Sequence, residues 1–279
     1  MNELIIRKYS SLLIITFSAL QIPISAENIT TKIFEKVSGS VVTIKAFSEK
    51  HGDSQGSGVL IEDGKTIVTN LHVVQNATMV TIQFPDGRIY RSKGYLAVNV
   101  DKDLITIRLP KKVKRLKAVK ISNLNNLRVG QNVVAIGSPQ GLSNTVSEGI
   151  VSAIRELNPS SKIIQTTAPL SPGSSGGGLF NEQGRLVGIT SFHHIDGQNL
   201  NFAYPAEEIL PLLKDGGVIP FYQLQRSNLQ AQNSPKVFVT RSGSKYHHPN
   251  CLYLRKSKIP MTIVTASNQG YSPCKSCIR

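Results

Sequence analysis

The chain has 279 residues, 40% of them hydrophobic, which is enough for one large or two unequal domains with a real core and excludes a disordered tail. Lys and Arg outnumber Asp and Glu by 32 to 17, and the resulting net charge of +15 favours anionic surfaces, nucleic acid or acidic protein partners. Charge of this kind speaks to partners and says nothing of fold.

In residues 1–26, Arg7 and Lys8 precede the apolar run LLIITFSALQIPI, which ends on Ser25 and Ala26. These are the features of a secretory signal peptide, with cleavage expected after Ala26. The alternative is a retained membrane anchor, but a run broken by Ser18, Gln21 and Pro23 falls short of the ~20 residues needed to span. Export to a periplasm or to the medium is therefore expected.

From Val41 to Tyr204 the sequence is a series of short β-branched runs separated by turn residues: VVTIKAF, GSGVLI, TIVTNLHVV, MVTIQF, LITIRL, NVVAIGS, IVSAI, KIIQTT, RLVGITSF and LNFAYP. Such spacing predicts a mainly β domain, an antiparallel sandwich or barrel. Short amphipathic segments flank it, IFEKVSGSVV before and AEEILPLLKDGG after, the latter expected as a C-terminal helix stopping at its Gly pair. Residues 27–215 are thus expected to form one domain. The polar stretch that follows, residues 216–235, has no sustained periodicity and is expected to be a linker. Residues 236–279 hold all three cysteines and eight Lys or Arg with no Asp or Glu, which marks a second, basic module.

Within the β series, SPGSSGGGLF (Ser171–Phe180) packs Gly and Ser beside apolar runs. A serine nucleophile attacking a carbonyl needs backbone N–H groups aimed at the developing oxyanion, and a tight glycine turn supplies them where side chains would obstruct. Ser175 sits in such a turn. The N–H groups of Gly173 and Ser175 are expected to form the oxyanion hole, with that of Ser174 pointing into the same turn. The window also matches the G-x-S-x-G nucleophile elbow, but that motif needs a helix after the serine, and here another β run follows.

A serine hydroxyl is a poor nucleophile without a base and a carboxylate to orient it. His72 closes one β run and Asp103 opens another, both upstream of the serine. His51, His193 and His194 are rival bases, and Asp101 is the nearest rival carboxylate. The order His, Asp, Ser is that of chymotrypsin-type β-barrels.

QGSGVLI, TIVTNLHVV, DKDLITIRL, GQNVVAIGSPQGLSNTVSEGIVSAI, SPGSSGGGLFNEQGRLVGITS and NFAYP together resemble successive landmarks of the HtrA/DegP-like trypsin-fold serine proteases. The resemblance runs from about Ile33 to Leu213. It implies a chymotrypsin-like double β-barrel and an endopeptidase acting on protein substrates without a catalytic cofactor. By motif, His72 corresponds to the general base, Asp103 to its orienting carboxylate and Ser175 to the nucleophile.

The pocket for the residue before the cleaved bond is expected between Thr167–Leu170 and Thr190–Phe192, with Thr167, Thr190, Ser191 and Phe192 as its substrate-binding residues. The family pattern commonly places an Asp where this chain has Thr167. With no acid from Gln165 to Ser175, a small or medium apolar residue is expected in place of Lys or Arg. The peptide-binding PDZ domain common in the family is not expected in residues 216–279. A homo-oligomer is a further expectation.

In the C-terminal module, His247, Cys251, Cys274 and Cys277 read H-x3-C, then 22 residues, then C-x2-C. Two such pairs converge on a tetrahedral Zn(II) with the thiols bound as thiolates. KYHHPNCLYL and GYSPCKSC resemble small Cys3His zinc modules related to the metal-binding domain of the Ada DNA-repair protein, whose pattern favours His247 over His248. A disulfide is the alternative in an exported chain, but it leaves an odd thiol and gives His247 no role. A structural zinc site in a small α+β module is expected. Its basic residues, together with the KKVKRLKAVK run of Lys111–Lys120, suit nucleic acid or another anionic polymer. A catalytically silent basic binding protein is thus the alternative to the exported endopeptidase.

Overall fold

Each of the ten β-branched runs contributes to a strand in the computed structural model, and the strands pair antiparallel. The structure describes residues 28–114, 116, 118–138, 144–158, 161–191, 201–213, 216–224, 236–254, 257–263, 266 and 270–278. The expected signal peptide and Phe192, His193 and His194 lie outside the described residues. No helix among the described residues is long and apolar enough to cross a membrane.

After helix α1 (Ile29–Val37), the first sheet comprises β1 (Val41–Phe47), β2 (Ser54–Ile61), β3 (Thr66–Asn70), β4 (Met79–Gln83), β5 (Ile89–Ser92), β7 (Ala97–Asn99) and β8 (Leu104–Arg108), while the short β6 (Gly94–Tyr95) stands outside it. The order of the sheet is β5-β4-β1-β2-β3-β8-β7, a half-barrel. The second sheet is a closed six-stranded barrel of β9 (Asn132–Gly137), β10 (Thr145–Asn158), β11 (Ser161–Thr166), β12 (Gly178–Asn181), β13 (Leu186–Ser191) and β14 (Asn201–Pro205). This is the trypsin-like double β-barrel.

The strand period of two divides the core. Val42, Ile44, Leu60 and Ile67 point into the first barrel, while their neighbours Val41, Val59, Ile61 and Val68 join a cluster shared with Val134, Ile136, Phe180 and Ile189 of the second. One face of each sheet therefore fills its own barrel and the other welds the barrels together. Burying a side chain of this size contributes about 1.5–3 kcal/mol, so the shared cluster holds the cleft between the barrels in one geometry.

The expected C-terminal helix is present in AEEILPLLKDGG as the 3-10 helix Ala206–Leu212, whose Pro211 has no N–H for an α-helical ladder. Its Ile209 and Leu212 reach the shared core. One expectation is corrected: the whole of 216–235 is not a linker. Ile219–Pro220 (β15) pairs with β6, and Phe221 and Leu224 are buried in the first-barrel core. Too few apolar residues lie here to show a period, yet they fill a site formed by distant strands. Any linker begins after Leu224.

In the module, β16 (Lys236–Val239) pairs antiparallel with β18 (Ile259–Thr262), and β17 (Lys245–Tyr246) pairs parallel with β19 (Ser272–Pro273). Its core is Val237, Val239, Tyr246 and Ala266, which is small for a unit of this length.

Candidate active site

Strand register brings His72 and Asp103 together. β3 pairs antiparallel with β8, with Thr66 opposite Arg108 and Asn70 opposite Leu104. One step further places Leu71 opposite Asp103, and the Leu71 N–H donates to the Asp103 carbonyl at 2.9 Å. The chain then turns into the single-turn helix α2 (Leu71–Val74), which carries His72. The Asp103 carboxylate accepts from the His72 backbone N–H at 2.8 Å through Oδ1, and Oδ2 lies 2.5 Å from His72 Nδ1. An ionised carboxylate only accepts, so Nδ1 carries the proton and Nε2 is the acceptor nitrogen. Asp103 itself stands at φ 49, a left-handed conformation that Asp tolerates better than most residues.

Ser175 comes from the other barrel, on the turn that leads into β12. Ser174 and Ser175 are 9% and 6% exposed, so the turn is packed from behind. The Gly177 N–H donates to the Ser174 carbonyl and the Gly176 N–H to the Thr190 carbonyl, while Thr190 Oγ1 donates to the Ser174 carbonyl at 2.7 Å. The Ser174 N–H donates to the Ser171 carbonyl at 2.9 Å. That bond is internal to the turn and occupies the N–H of Ser174.

Two glycines explain how the barrels meet here. Gly176 has φ +84, and a Cβ on it would lie 2.2 Å from the Ser57 carbonyl oxygen and 2.3 Å from Thr69 Oγ1. A Cβ on Gly56 would lie 2.7 Å from Val73 Cγ2 and 3.0 Å from the Ser175 carbonyl oxygen. Bare backbone at Gly56 and Gly176 thus lets Ser57, Thr69 and Val73 of the first barrel lie close against the turn that carries Ser175. The rival His51 lies exposed in the β1–β2 connection, and Asp101 lies exposed in the turn before β8.

Ser57 and Thr69 escape a sequence reading. The Ser57 N–H donates to the Ser175 carbonyl, its hydroxyl donates to the Gly173 carbonyl, and the same hydroxyl accepts from the Ser138 N–H, each at 2.8 Å. Thr69 Oγ1 donates to the Ser57 carbonyl at 2.7 Å. The only hint in the sequence is the position of Ser57 between two glycines; the partners of its hydroxyl in the second barrel and its turns lie 81 and 116 residues away. Tyr204 is also close by. Burial, and then the charge of Asp103, push its hydroxyl above the ordinary phenol range, so it stays a neutral donor.

The expected pocket residues separate into two roles. Thr190 braces the Ser174–Gly177 turn and, with Leu170, also lines a cavity of about 130 Å³ beside Ser174 that has no charged side chain. Thr167 is exposed, and its Oγ1 accepts from the Ile150 N–H at 2.9 Å. Ser191 is buried at the end of β13.

In the C-terminal module, the β17–β19 pairing and the Cys274 N–H donating to the Tyr246 carbonyl bring the two ligand pairs together. One ligand atom from each of His247, Cys251, Cys274 and Cys277 lies within 4.8 Å of the others. His247 Nδ1 is 3.2 Å from Cys251 Sγ, near the roughly 3.5 Å edge of a tetrahedral zinc site with nitrogen and sulfur ligands. Burial, reinforced by Lys245, lowers the His247 pKa and favours the neutral imidazole that ligates metal. The His248 N–H approaches Cys277 Sγ at 3.4 Å, as a backbone donor to a thiolate would. The donor set fits Zn(II).

The sequence profile of the trypsin-like peptidase domain matches residues 56–189. The chain is 40% identical over 188 residues to the periplasmic serine endoprotease DegP of Escherichia coli K12, covering 62% of this chain and 38% of that protein. It is 39% identical over 182 residues to the probable periplasmic serine endoprotease DegP-like of Buchnera aphidicola subsp. Schizaphis graminum, covering 62% and 37% respectively. Among solved structures, the HtrA-type protease AlgW with tripeptide aligns with a TM-score of 0.58 at 30% identity, over 65% of this chain and 62% of that one. The chain thus spans well under half the length of those curated relatives.

Proposed function

We propose that the chain is an exported, periplasmic HtrA-like serine endopeptidase that cleaves protein substrates through His72, Asp103 and Ser175. The observation that carries the reading is the double grip of one carboxylate, Asp103, on the ring and the backbone of His72. His72 Nε2 takes the proton of the Ser175 hydroxyl as its oxygen attacks the peptide carbonyl. The N–H groups of Gly173 and Ser175 receive the oxyanion, and His72 then protonates the leaving amine. Water repeats the sequence on the acyl-enzyme. This chemistry runs on protein groups alone.

The uncharged cavity beside Ser174 supports a small or medium apolar residue before the cleaved bond. Cleavage-site profiling dominated by Arg or Lys would overturn that preference. The periplasmic relatives and the expected signal peptide support export. In the C-terminal module, His247, Cys251, Cys274 and Cys277 hold Zn(II), which supplies cross-linking to a unit with little core of its own. Four protein ligands make that site structural.

A fluorophosphonate probe tests the protease reading. Labelling at Ser175 that disappears in His72→Ala is the expected result. A folded protein that takes no label under varied concentration and substrate would instead favour a silent binding protein.

A further inference from the structure

The ends of β3 and β12 that face the cleft carry the candidate catalytic residues. Their opposite ends also converge, on the far side of the barrels. There the β2–β3 turn, the end of α1, Lys112, Leu116 and residues 118–120, and the β12–β13 hairpin enclose a groove of about 600 Å³. It lies roughly 17 Å from His72, the length of five-residue β3.

The rim carries Lys36, Lys112, Lys120 and Arg185 against a single acid, Glu62. Lys36 is pinned, its Nζ donating to the Gln183 carbonyl at 2.6 Å. Glu62 is also engaged, accepting from the Ile121 N–H. Lys112, Lys120 and Arg185 are exposed and have no ion-pair partner among the described residues. The floor is apolar, formed by Val37 and Val119 with Leu116 and Ala118 beside them. Both edges of the 119–122 segment are already bonded, to Leu60 and Glu62 and to Leu186, so any ligand here is read by side chains and not by strand addition.

We propose that this groove is a second peptide-binding site, which captures a segment of the protein substrate, remote from the cleaved bond, in which acidic residues flank apolar ones. Calling the segment substrate rests on the protease reading; the binding itself does not. A bare phosphate polymer would satisfy the cations but would leave the apolar floor unused, whereas an acidic-apolar peptide satisfies both. The volume lies in the range of pockets that enclose small ligands, with room for a few residues of chain.

The test uses the full chain as Ser175→Ala and a short fluorescein-labelled peptide in which Glu alternates with Leu. Binding should weaken roughly tenfold in Lys112→Glu/Arg185→Glu, weaken with added salt, and be absent for the matching Lys–Leu peptide. If the double variant does not fold, Lys120→Glu gives the same readout from a third rim position. Equal binding of the Lys–Leu peptide, or an affinity indifferent to the charge reversals, overturns the proposal. Tighter binding of inorganic polyphosphate at the same residues would overturn the peptide assignment. With Ser175 restored, the charge reversals should raise KM for a substrate bearing the acidic segment and leave hydrolysis of a short neutral peptide unchanged. Loss of peptide binding in the variants of a protein that hydrolyses nothing would sustain the groove and sink the protease reading.

Discussion

The Ser57 N–H donates to the carbonyl of Ser175 at 2.8 Å, while the Ser57 side chain ties the Gly173 carbonyl to the Ser138 N–H. A single residue of the first barrel thus fixes two peptides of the turn that carries Ser175. Ser57→Ala leaves a buried N–H without its acceptor, which costs about 1–3 kcal/mol. It also frees the Gly173 peptide to rotate out of the oxyanion position. A kcat loss approaching the ~100-fold expected for a missing oxyanion donor should follow, with KM little changed. Steady-state kinetics with urea denaturation would check both, and an unchanged kcat would mean that the turn holds its shape without this bridge.

Asp103→Asn keeps a side chain that tolerates positive φ, so the fold should survive. The amide presents the wrong hydrogen-bond pattern to His72 Nδ1 and favours the wrong tautomer. Hydrolysis should fall roughly 10,000-fold with a melting temperature near that of the unaltered protein. Near-normal turnover would remove Asp103 from the mechanism.

Asp63 governs acid stability at the β2–β3 turn. Burial works to raise its pKa, but donors from Lys65, Thr66 and Arg108 outweigh it, and the carboxyl titrates below its ordinary value. A folded-state pKa below the unfolded one means stability that is present above about pH 4 and lost as pH falls through the lower folded value. Asp63→Asn should therefore destabilise at neutral pH, with the difference shrinking as pH falls below about 4. Denaturant midpoints measured from neutral pH downward would show it, and a difference that does not shrink on acidification would refute it.

Phe221→Ala opens a cavity in the first-barrel core, where this side chain is fully buried. A loss of about 3–5 kcal/mol is expected from a change of this kind. Unfolding of the protease portion by calorimetry is the measurement. A change under 1 kcal/mol would return residues 219–224 to the linker.

One zinc per chain is expected by metal analysis, and Cys274→Ser should abolish it. Hydrogen exchange should then rise across 236–278 while hydrolysis of a short peptide persists. Metal-free protein with an intact module would reject the site.

Local composition makes much of this chain readable: β-branched runs alternate in and out because a pleated strand has a period of two, and Gly-Ser turns punctuate them. It marks out His72, Asp103 and the Cys3His spacing as candidates because His, Asp and Cys are scarce and stand at strand ends or in short-range pairs, and Ser175 because it lies in a glycine-dense turn. The four-residue strand β12 goes unread because it begins on a glycine, and residues 219–224 because their apolar partners belong to distant strands. Pairing register alone set Asp103 beside His72, and packing between the barrels alone made Ser57 the support of the turn that carries Ser175 and gathered four cations around one groove. Such contacts depend on which surfaces are buried together, a property of the whole folded chain that no short stretch of residues contains.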